Sequence, residues 1–289
     1  MAAPKRIADL LFRGYIVGPS FAHVATSLVG LLMVERAFLN SLLPKVLPAV
    51  EAMFASQSRV MAVGNLSGIA GAIGYWGFGI AFAIPALVGC KRWKIQPLRK
   101  LDRAMLWQSL PLILMNTMLG GIFAAVLLSW GLPDAAFDWH NLPGTWTLTR
   151  DAVVWIAANE VLFFYSHRFM HVNKYMYQTV HKIHHKWNAP ISLAAAYAHP
   201  LEVVFGNALP LIVGPLLCGS HIFTTVVWLF TYQVHTTCTH SGYWFCDDNG
   251  MHDEHHAKFN VNFGVHGIMD HVYGTLQLPE AAHREKQTQ

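Results

Sequence analysis

Long apolar stretches alternate with short polar connections along this chain. Three stretches contain no Asp, Glu, Lys or Arg, namely Val60–Cys90, Ala104–Trp130 and Val203–Val234. A fourth, Tyr15–Val34, is interrupted only by His23. Because a helix needs roughly 20 apolar residues to cross a bilayer, each stretch is long enough to span one. A buried helix of a soluble protein is the alternative for each stretch, and three charge-free runs of this length disfavour it.

Clusters of Lys and Arg orient the predicted spans. Lys5 and Arg6 precede the first span, and a basic connection runs from Lys91 to Arg103 between the second and the third. The positive-inside rule places both groups in the cytosol. Residues 151–166 are then expected to form a fourth crossing that returns the chain to the cytosolic side. Nucleic-acid binding is the other common use of a basic run, and a membrane connection explains this one better.

Prolines and glycines interrupt two of the apolar regions. Pro44 and Pro48 are expected to break any long helix in the segment that follows the first span. Pro210, Gly214 and Pro215 divide the last apolar stretch. Two full crossings there would need about 40 residues. We therefore expect this stretch to form a shallow hairpin that enters and leaves the membrane on one side.

The composition agrees with a membrane protein. Charged residues make up only 12% of the chain and hydrophobic residues 54%, whereas about a quarter of a soluble domain is charged. The four cysteines show no spacing typical of a disulfide framework or a zinc site. Glu160 lies within the expected fourth crossing, where a carboxylate is either functional or part of a contact between helices.

Eight histidines fall into three clusters in the second half of the chain. Their spacing is H-x-x-x-H, H-x-x-H-H and again H-x-x-H-H, and they are His167, His171, His181, His184, His185, His252, His255 and His256. Residues three and four apart share one face of a helix, so the members of each cluster are expected to point together. Since one metal ion rarely takes more than four protein ligands, eight imidazoles suggest two metals. A solvated basic face is the alternative at 181–185, but it does not explain the repeat at 252.

The surroundings of the clusters distinguish between kinds of metal protein. A zinc protease needs Glu directly after the first His, whereas Lys182 follows His181 and Asp253 follows His252. A metal transporter would carry its ligands near the middle of the bilayer, whereas these clusters follow the spans. Two redox-active irons at a membrane face suit oxidation of a lipid, because protein side chains alone do not activate aliphatic C–H bonds.

The histidine motifs resemble those of the fatty acid hydroxylase (sterol desaturase) superfamily of membrane di-iron enzymes. Further segments are similar to its C4-methylsterol oxidase branch: Ala198–Glu202 (AHPLE), His240–Tyr243 (HSGY), Asn262–Gly264 (NFG) and Asp270–Thr275. The segment Leu209–His221 looks more like the fatty acid hydroxylase domain-containing proteins. The resemblance covers the chain from about the fourth span to Thr275, and the N-terminal third matches only in hydropathy.

This resemblance implies a ligand set and a reaction. The eight clustered histidines would bind two non-haem irons, and His199 and His240 join the candidate ligands. Dioxygen would be the co-substrate and a lipid the substrate, with a C4-methyl group of a sterol as the expected target. The chain lacks the His-Pro-Gly-Gly haem motif, so electrons would come in trans from cytochrome b5 or an NAD(P)H reductase. The endoplasmic reticulum membrane is the expected location, with the histidines facing the cytosol and no nucleic-acid partner.

Two features leave the substrate open. The first histidine motif has three intervening residues, which favours the sterol side over the sphingolipid hydroxylases. Met269 and His271, however, stand where sterol oxidases tend to carry Trp and Arg. Hydroxylation of a fatty acyl or sphingolipid chain is the alternative reaction. A histidine-lined metal transporter or an inactive scaffold is the alternative without enzyme activity.

The expected fold is all-α. It is a polytopic membrane bundle of about four spans and a shallow hairpin, with a histidine-rich helical cap on the cytosolic side. Residues 1–150 would form the N-terminal transmembrane region and residues 151–276 the di-iron domain. Residues 277–289 would form a polar tail.

Overall fold

The computed structural model describes residues 19–245 and 250–279, and its regular structure is almost entirely helical. The α-helices are α1 (Pro19–Ala37), α2 (Leu43–Ser56), α3 (Arg59–Gly71), α4 (Phe78–Leu87), α5 (Arg103–Gly131), α6 (Thr145–Val172), α7 (Lys174–Thr179), α8 (Leu209–Cys218), α9 (Ile222–Thr239), α10 (Met251–Lys258) and α11 (Ile268–Tyr273). Short 3₁₀ segments cover Asp134–Phe137, His181–Lys186 and Ser192–Ala196, and π-helical segments cover Phe38–Leu42, Ala72–Gly77 and Glu202–Ala208. Within the described residues, the one β-bridge joins Lys94 and Tyr243. The predicted all-α membrane bundle is confirmed.

Three helical stretches are long and apolar enough to cross a membrane. They are Val24–Ser56, Arg59–Leu87 and Arg103–Gly131, and they correspond to the first three predicted spans. The predicted fourth crossing forms part of α6, which is helical throughout but more polar. The orientation inferred from Lys5 and Arg6, and the first residues of the span predicted from Tyr15, lie outside the described residues.

The prediction that Pro44 and Pro48 break the first helical region is wrong. Helical structure continues through both prolines. Pro44 lies in the first turn of α2, directly after the π-helical segment Phe38–Leu42, and Pro48 lies inside α2. In this segment the Leu43 N–H donates to the Phe38 carbonyl, five residues back. The wider π turn lies where Pro44 brings a ring and no N–H donor, which an α-helix tolerates only near its start.

Polar side chains begin several of these helices. The Asp102 carboxylate accepts a hydrogen bond from the Met105 N–H at 2.9 Å and thereby caps α5. Asn173 caps α7 in the same way, with Oδ1 3.0 Å from the Tyr175 nitrogen. Such side chains satisfy N–H groups that the first turn of a helix leaves without a partner.

The last apolar stretch forms a helical hairpin, as expected. One arm is Glu202–Cys218 and the other is α9, with a turn at Gly219, whose φ is +59°. At the tip, the Ser220 hydroxyl donates to Asp151 Oδ2 at 2.8 Å, near the start of α6. Since α6 ends beside the histidines, the hairpin runs most of the length of α6. The break falls at Gly219 rather than at Pro210 or Pro215.

The hairpin packs closely on α6 because one position has no side chain. A Cβ atom placed on Gly214 would lie 2.7 Å from the Trp155 Cα atom, so a larger residue would push α8 away from α6. The Trp155 indole N–H donates to the Ser220 hydroxyl at 3.1 Å, and its ring packs against Trp228. These contacts fix the arms of the hairpin, and the ends of those arms carry Glu202 and His240.

The basic connection lies at the same end of the bundle as the histidine clusters. The Ile95 N–H donates to the Gly242 carbonyl at 2.9 Å. The Gln96 amide donates to Asp253 Oδ1 at 2.8 Å, between two histidines of the third cluster. The prediction that the basic loop and the histidine clusters share one side is therefore supported by direct contacts.

Two local predictions fail. The second histidine cluster lies on a 3₁₀ segment, His181–Lys186, rather than on an α-helix. The cysteines also differ from expectation, because Cys238 is disulfide-bonded, whereas Cys90 and Cys218 are free. No recognisable spacing signalled this bond.

Candidate metal centre

Four elements bring histidines together at one end of the bundle. The last turns of α6 carry His167 and His171, and α10 carries the third cluster. The second cluster lies between them on its 3₁₀ segment, and His240 follows the last residue of α9. The sequence supplies the helical spacing of the first and third clusters, and the hairpin supplies His240.

The ring nitrogens of nine histidines form two groups. The first group consists of His167, His171, His181, His185 and His255, and the second of His184, His240, His252 and His256. Within each group, one nitrogen of every residue lies within 4.8 Å of those of the others. All eight histidines of the three motifs therefore take part, together with His240.

Each of the last two motifs divides its histidines between the groups. The second motif gives His181 and His185 to the first group and His184 to the second. The third motif does the reverse, since its middle histidine, His255, joins the first group. The helical spacing suggested that the members of one motif point together. They do not all do so. The two motifs interlock, and each group needs both of them.

The Nε2 atoms approach one another closely within each group. In the first group, the Nε2 atom of His171 lies 2.8 Å from that of His181 and 3.1 Å from that of His185. In the second group, the Nε2 atoms of His240 and His252 are 2.9 Å apart. The separations are those of atoms that can contact one common ion.

In four of the nine histidines, the opposite ring nitrogen is turned toward a backbone carbonyl. Nδ1 of His167 lies 2.8 Å from the Phe263 carbonyl, and Nδ1 of His255 lies 2.7 Å from the Val261 carbonyl. In the second group, Nδ1 of His184 and of His240 lie 3.2 Å and 2.8 Å from backbone carbonyls. A carbonyl only accepts, so Nδ1 carries the proton and Nε2 keeps its lone pair.

This tautomer shows that the donor set fits metal ions. Lone pairs on Nε2 atoms about 3 Å apart repel one another, unless a cation lies among them. Burial also lowers the pKa of His181 and of His255 to about 3, so both rings are neutral at pH 7. Neutral imidazoles with free Nε2 atoms are the form that iron, zinc, copper and nickel bind.

A buried carboxylate supports the first group. Oε1 of Glu202 lies 2.9 Å from Nδ1 of His181, and both side chains are almost fully buried. A carboxylate behind a ligand histidine fixes the ring and makes its other nitrogen more basic. In the sequence, Glu202 belongs to the segment Ala198–Glu202 that resembles the family, and no role was predicted for it. A carboxylate at the start of an apolar stretch is the signal that was available.

Two further acids hold the loop that backs His167. Both carboxylate oxygens of Glu160 accept backbone N–H groups, from Val265, His266 and Met269, at 2.7–3.0 Å. The Asp270 carboxylate accepts from the N–H groups of Phe263 and Gly264. The Phe263 carbonyl is the acceptor for His167, so these acids act through the loop. Glu160 therefore holds this loop, whereas the sequence suggested either a functional carboxylate or a contact between helices.

Two other histidines, one of them the candidate ligand His199, stand apart from both groups. His199 belongs to neither group, and its Nδ1 accepts the Leu201 N–H at 3.2 Å, close to Glu202. The His235 ring stacks on that of His266 at 6.1 Å and faces a cavity. Among the candidates that rested on the resemblance, the structure thus brings His240 into a group and leaves His199 outside.

An apolar cavity of about 650 Å³ leads from the membrane helices to the histidines. Its walls come mainly from α3, α5 and α9, and His167, His184, His240 and His252 line it. Both histidine groups therefore contribute to the lining. The volume lies in the range of pockets that enclose a small organic ligand. An organic molecule bound in this cavity would lie next to both groups.

Comparison with known proteins shows what this region resembles. The fatty acid hydroxylase family model matches residues 152–275. Fatty acid hydroxylase domain-containing protein 2 of Macaca fascicularis is 38% identical over 60% of this chain and 53% of its own length. Methylsterol monooxygenase erg25B of Aspergillus fumigatus is 27% identical over 80% of this chain and 83% of its own.

Other relatives act on other lipids. Very-long-chain aldehyde decarbonylase GL1-11 of Oryza sativa is 30% identical over 46% of this chain and 55% of its own length. The chain thus spans about half the length of several relatives that it matches. No solved structure matches it. The family model covers all nine histidines of the two groups, so the part of the chain that carries them is similar to the fatty acid hydroxylase family.

Proposed function

We propose that this protein is a membrane di-iron monooxygenase that oxidises a C–H group of a lipid with O2. The observation that carries the proposal is the position of two buried imidazole groups at one end of an apolar cavity. Nine neutral imidazoles suit two metal ions better than one, since an ion rarely takes more than four or five such ligands. Bound iron, with O2 and electrons, supplies the oxidising power that side chains lack.

The protein's own residues would position the lipid and exclude water. The first group would hold one iron through five histidines, and the second group the other iron through four. His167, His184, His240 and His252 line the cavity, so the lipid approaches both groups from one direction. Glu202 would keep His181 oriented toward its metal. A carbon held near these rings is placed for attack, and positioning of this kind is a major part of catalysis.

The substrate we favour is a sterol, oxidised at a C4-methyl group. The methylsterol monooxygenase relative is matched over 83% of its own length, more than the other relatives named above. The cavity of about 650 Å³ between α3, α5 and α9 has room for a rigid ring system. Hydroxylation of a fatty acyl or sphingolipid chain is the second candidate, because the family model and a fatty acid hydroxylase of Mycosarcoma maydis also match.

The position of the histidines also bears on the alternatives without enzyme activity. A transporter needs ligands along a path through the membrane. Here both groups lie where α6 ends and beside the basic connection, at one end of the bundle. An inactive scaffold would have no reason to keep nine converging imidazoles. We therefore place the chain among enzymes.

Electron supply and location complete the proposal. The face that carries the histidine groups also carries Lys182 and Lys186 on the second motif, near the basic connection. An acidic, soluble-domain electron donor such as cytochrome b5 would be attracted to this face. We propose that the face lies in the cytosol and that the membrane is that of the endoplasmic reticulum.

Lipid oxidation by the purified protein tests this function. The full chain is loaded with Fe(II), supplied with cytochrome b5, its reductase and NADH, and offered a 4-methylsterol or a ceramide. A hydroxylated sterol formed in an O2-dependent reaction supports the favoured reading, and a hydroxylated ceramide supports the second. Absence of both products from iron-loaded protein contradicts the enzyme assignment. His140→Ala is the control, because His140 is exposed and belongs to neither group.

A further inference from the structure

The exposed residues of the cavity lining all lie along one seam of the bundle. On α3 and the π-helical segment that follows it, they are Met61, Asn65, Gly68 and Ala72. On α5 they are Leu114, Met118 and Ile122. All other lining residues that the structure describes are buried or half-buried. The cavity therefore opens to the outside between α3 and α5.

Regular spacing places these residues in one row on each helix. In both rows, neighbouring members are three or four positions apart in the sequence. Residues at this spacing share one face of a helix. Apart from Asn65, no member of either row carries a polar side chain. The two rows therefore border an elongated, largely apolar slot that follows the helices.

Two glycines leave space where the helices separate. A Cβ atom on Gly64 would lie 3.7 Å from the Ala125 Cβ atom, so α3 and α5 are in contact there. As consecutive spans the two helices run in opposite directions, and Gly68 and Gly121 each lie about one turn further toward the histidine end. A Cβ atom on either glycine would meet no neighbouring atom within 4 Å, and both glycines line the cavity. The slot thus begins beyond the contact at Gly64.

The slot faces the interior of the bilayer. Both of its helices belong to apolar spans, Arg59–Leu87 and Arg103–Gly131, and the row on α5 lies near the middle of that helix. No Asp, Glu, Lys or Arg occurs in either helix between its first residue and its last. A molecule that passes through the slot therefore comes from the hydrocarbon region, where a charged group is strongly disfavoured.

We propose that the substrate enters the cavity sideways from the bilayer, through the slot between α3 and α5. The substrate class is then a membrane-dissolved lipid whose leading end, the end that reaches the histidines, carries no charge. That this lipid is oxidised rests on the function proposed above, whereas the route of entry follows from the position of the slot. A lipid carried in water as a charged thioester would have no such route.

A bulky group attached at the slot tests this route without any turnover. Met118→Cys, with Cys90→Ser and Cys218→Ser to remove the free thiols, is labelled with a bulky maleimide. The full chain is placed in lipid nanodiscs under argon without reductant. A fluorescent sterol, whose anisotropy differs between bilayer and cavity, reports its rates of entry and release. The label is expected to slow both rates at least about tenfold and to change the affinity less than about twofold, because it obstructs the entrance and not the binding position.

A second exposed position on the same helix pair provides the matched control. Ile69 and Met118 are both 59% exposed, but Ile69 does not line the cavity. The same label on Ile69→Cys, in the same background, should leave both rates within about twofold of the unlabelled protein. Equal rates in the two labelled variants overturn the proposal. Faster release from labelled Met118→Cys also overturns it, since Met118 would then belong to the binding position.

The route also predicts which form of a lipid binds. A fluorescent fatty alcohol and the coenzyme A thioester of the same chain are compared in the same nanodiscs. The thioester carries charged phosphates and is expected to bind at least about tenfold more weakly. Binding of the thioester as tightly as the alcohol, with no effect of the label on Met118→Cys, would show entry from the aqueous side and overturn the proposal.

Failure of the route and failure of the function give different results. If the label on Met118→Cys blocks entry but the unlabelled protein oxidises no lipid, the function proposed above fails and the route stands. If a lipid is oxidised equally fast with and without this label, the route fails and the function stands.

Discussion

The Nε2 atoms of His185 and His255 lie 3.1 Å apart although 70 positions separate the two residues in the chain. One belongs to the second histidine motif and the other to the third. Their contact closes the five-membered group, and the reciprocal contact of His184 with the third motif closes the other group. Neither group can form unless α10 reaches the 3₁₀ segment that follows α7. Assembly of the metal centre is thus coupled to the tertiary fold.

The iron lost by a variant should depend on the group to which the replaced histidine belongs, and not on its sequence motif. His184→Ala and His252→Ala change the second group, so each is expected to lower the iron content by about one ion per chain. The double variant should lose no more iron than either single variant. His184→Ala combined with His255→Ala affects both groups and should lower it by about two. Elemental analysis of the purified variants measures this. Equal losses in the two double variants would contradict the interlocked arrangement.

Replacing Glu202 should weaken iron binding without removing a ligand. Glu202→Gln replaces the carboxyl group behind Nδ1 of His181 with an amide, and loss of such a partner typically reduces metal affinity about 10- to 100-fold. Chelator competition, with iron released by a graded series of chelators, measures the change. Glu51→Gln is the control, because Glu51 lies on α2, which carries none of the grouped histidines. Unchanged iron affinity in Glu202→Gln would remove Glu202 from the supporting role.

Glu160 should contribute to stability through the loop that it holds. Glu160→Gln keeps the shape of the side chain but replaces one accepting oxygen with an amide that donates, facing backbone N–H groups of the loop. The expected loss is about 1–3 kcal/mol of stability, read as a lower melting temperature of the detergent-solubilised protein. Iron loss should follow in the same variant, since Phe263 in this loop supports His167. A variant as stable as the wild type would contradict this role.

Filling the cavity should abolish lipid oxidation while the metal centre remains. Gly68 lines the cavity, and a Cβ atom there meets nothing within 4 Å. Gly68→Leu therefore projects into the space for the lipid without a clash and is expected to lower turnover at least about tenfold. Gly30→Leu is the matched control, because Gly30 also has open space but lies outside the cavity lining. Normal iron content in both variants is part of the expected result.

Acid should destabilise the metal-free protein. Burial lowers the pKa of His181 and of His255 to about 3, from 6.5 in an unfolded chain. Above pH 6.5 both states are neutral. As the pH falls from 6.5 toward 3, only the unfolded chain takes up these protons, so each residue withdraws stability by up to about 1.4 kcal/mol per pH unit. The melting temperature of the apoprotein should drop between pH 7 and pH 5. A melting temperature that does not change over this range would contradict the burial of neutral rings.

Periodicity and local spacing predicted much of this protein. The three long apolar helices and the close spacing of the histidines within each motif follow from rules that act over a few residues. The division of each H-x-x-H-H motif does not, because it depends on which partner element packs on each side. The 3₁₀ geometry of His181–Lys186 arises in the same way, from tertiary contacts that override local spacing.

The features that could not be predicted from the sequence have related physical causes. Pro44 is tolerated because a π-helical segment precedes it, and no simple pattern announces that segment. Glu202 reaches His181 across a chain separation that spacing rules do not cover. His240 and His199 looked equally plausible in sequence, and only the course of α9 separates them. Predictions that required knowing where an element packs were the ones that failed or stayed open.

The metal content of the purified, full-length protein tests the central claim most directly. The protein is expressed with iron available, purified in detergent without chelators, and analysed for all transition metals by mass spectrometry. We expect about two irons per chain, one for each histidine group. A single zinc per chain, or a preparation that binds no iron even when Fe(II) is added without oxygen, would contradict the account.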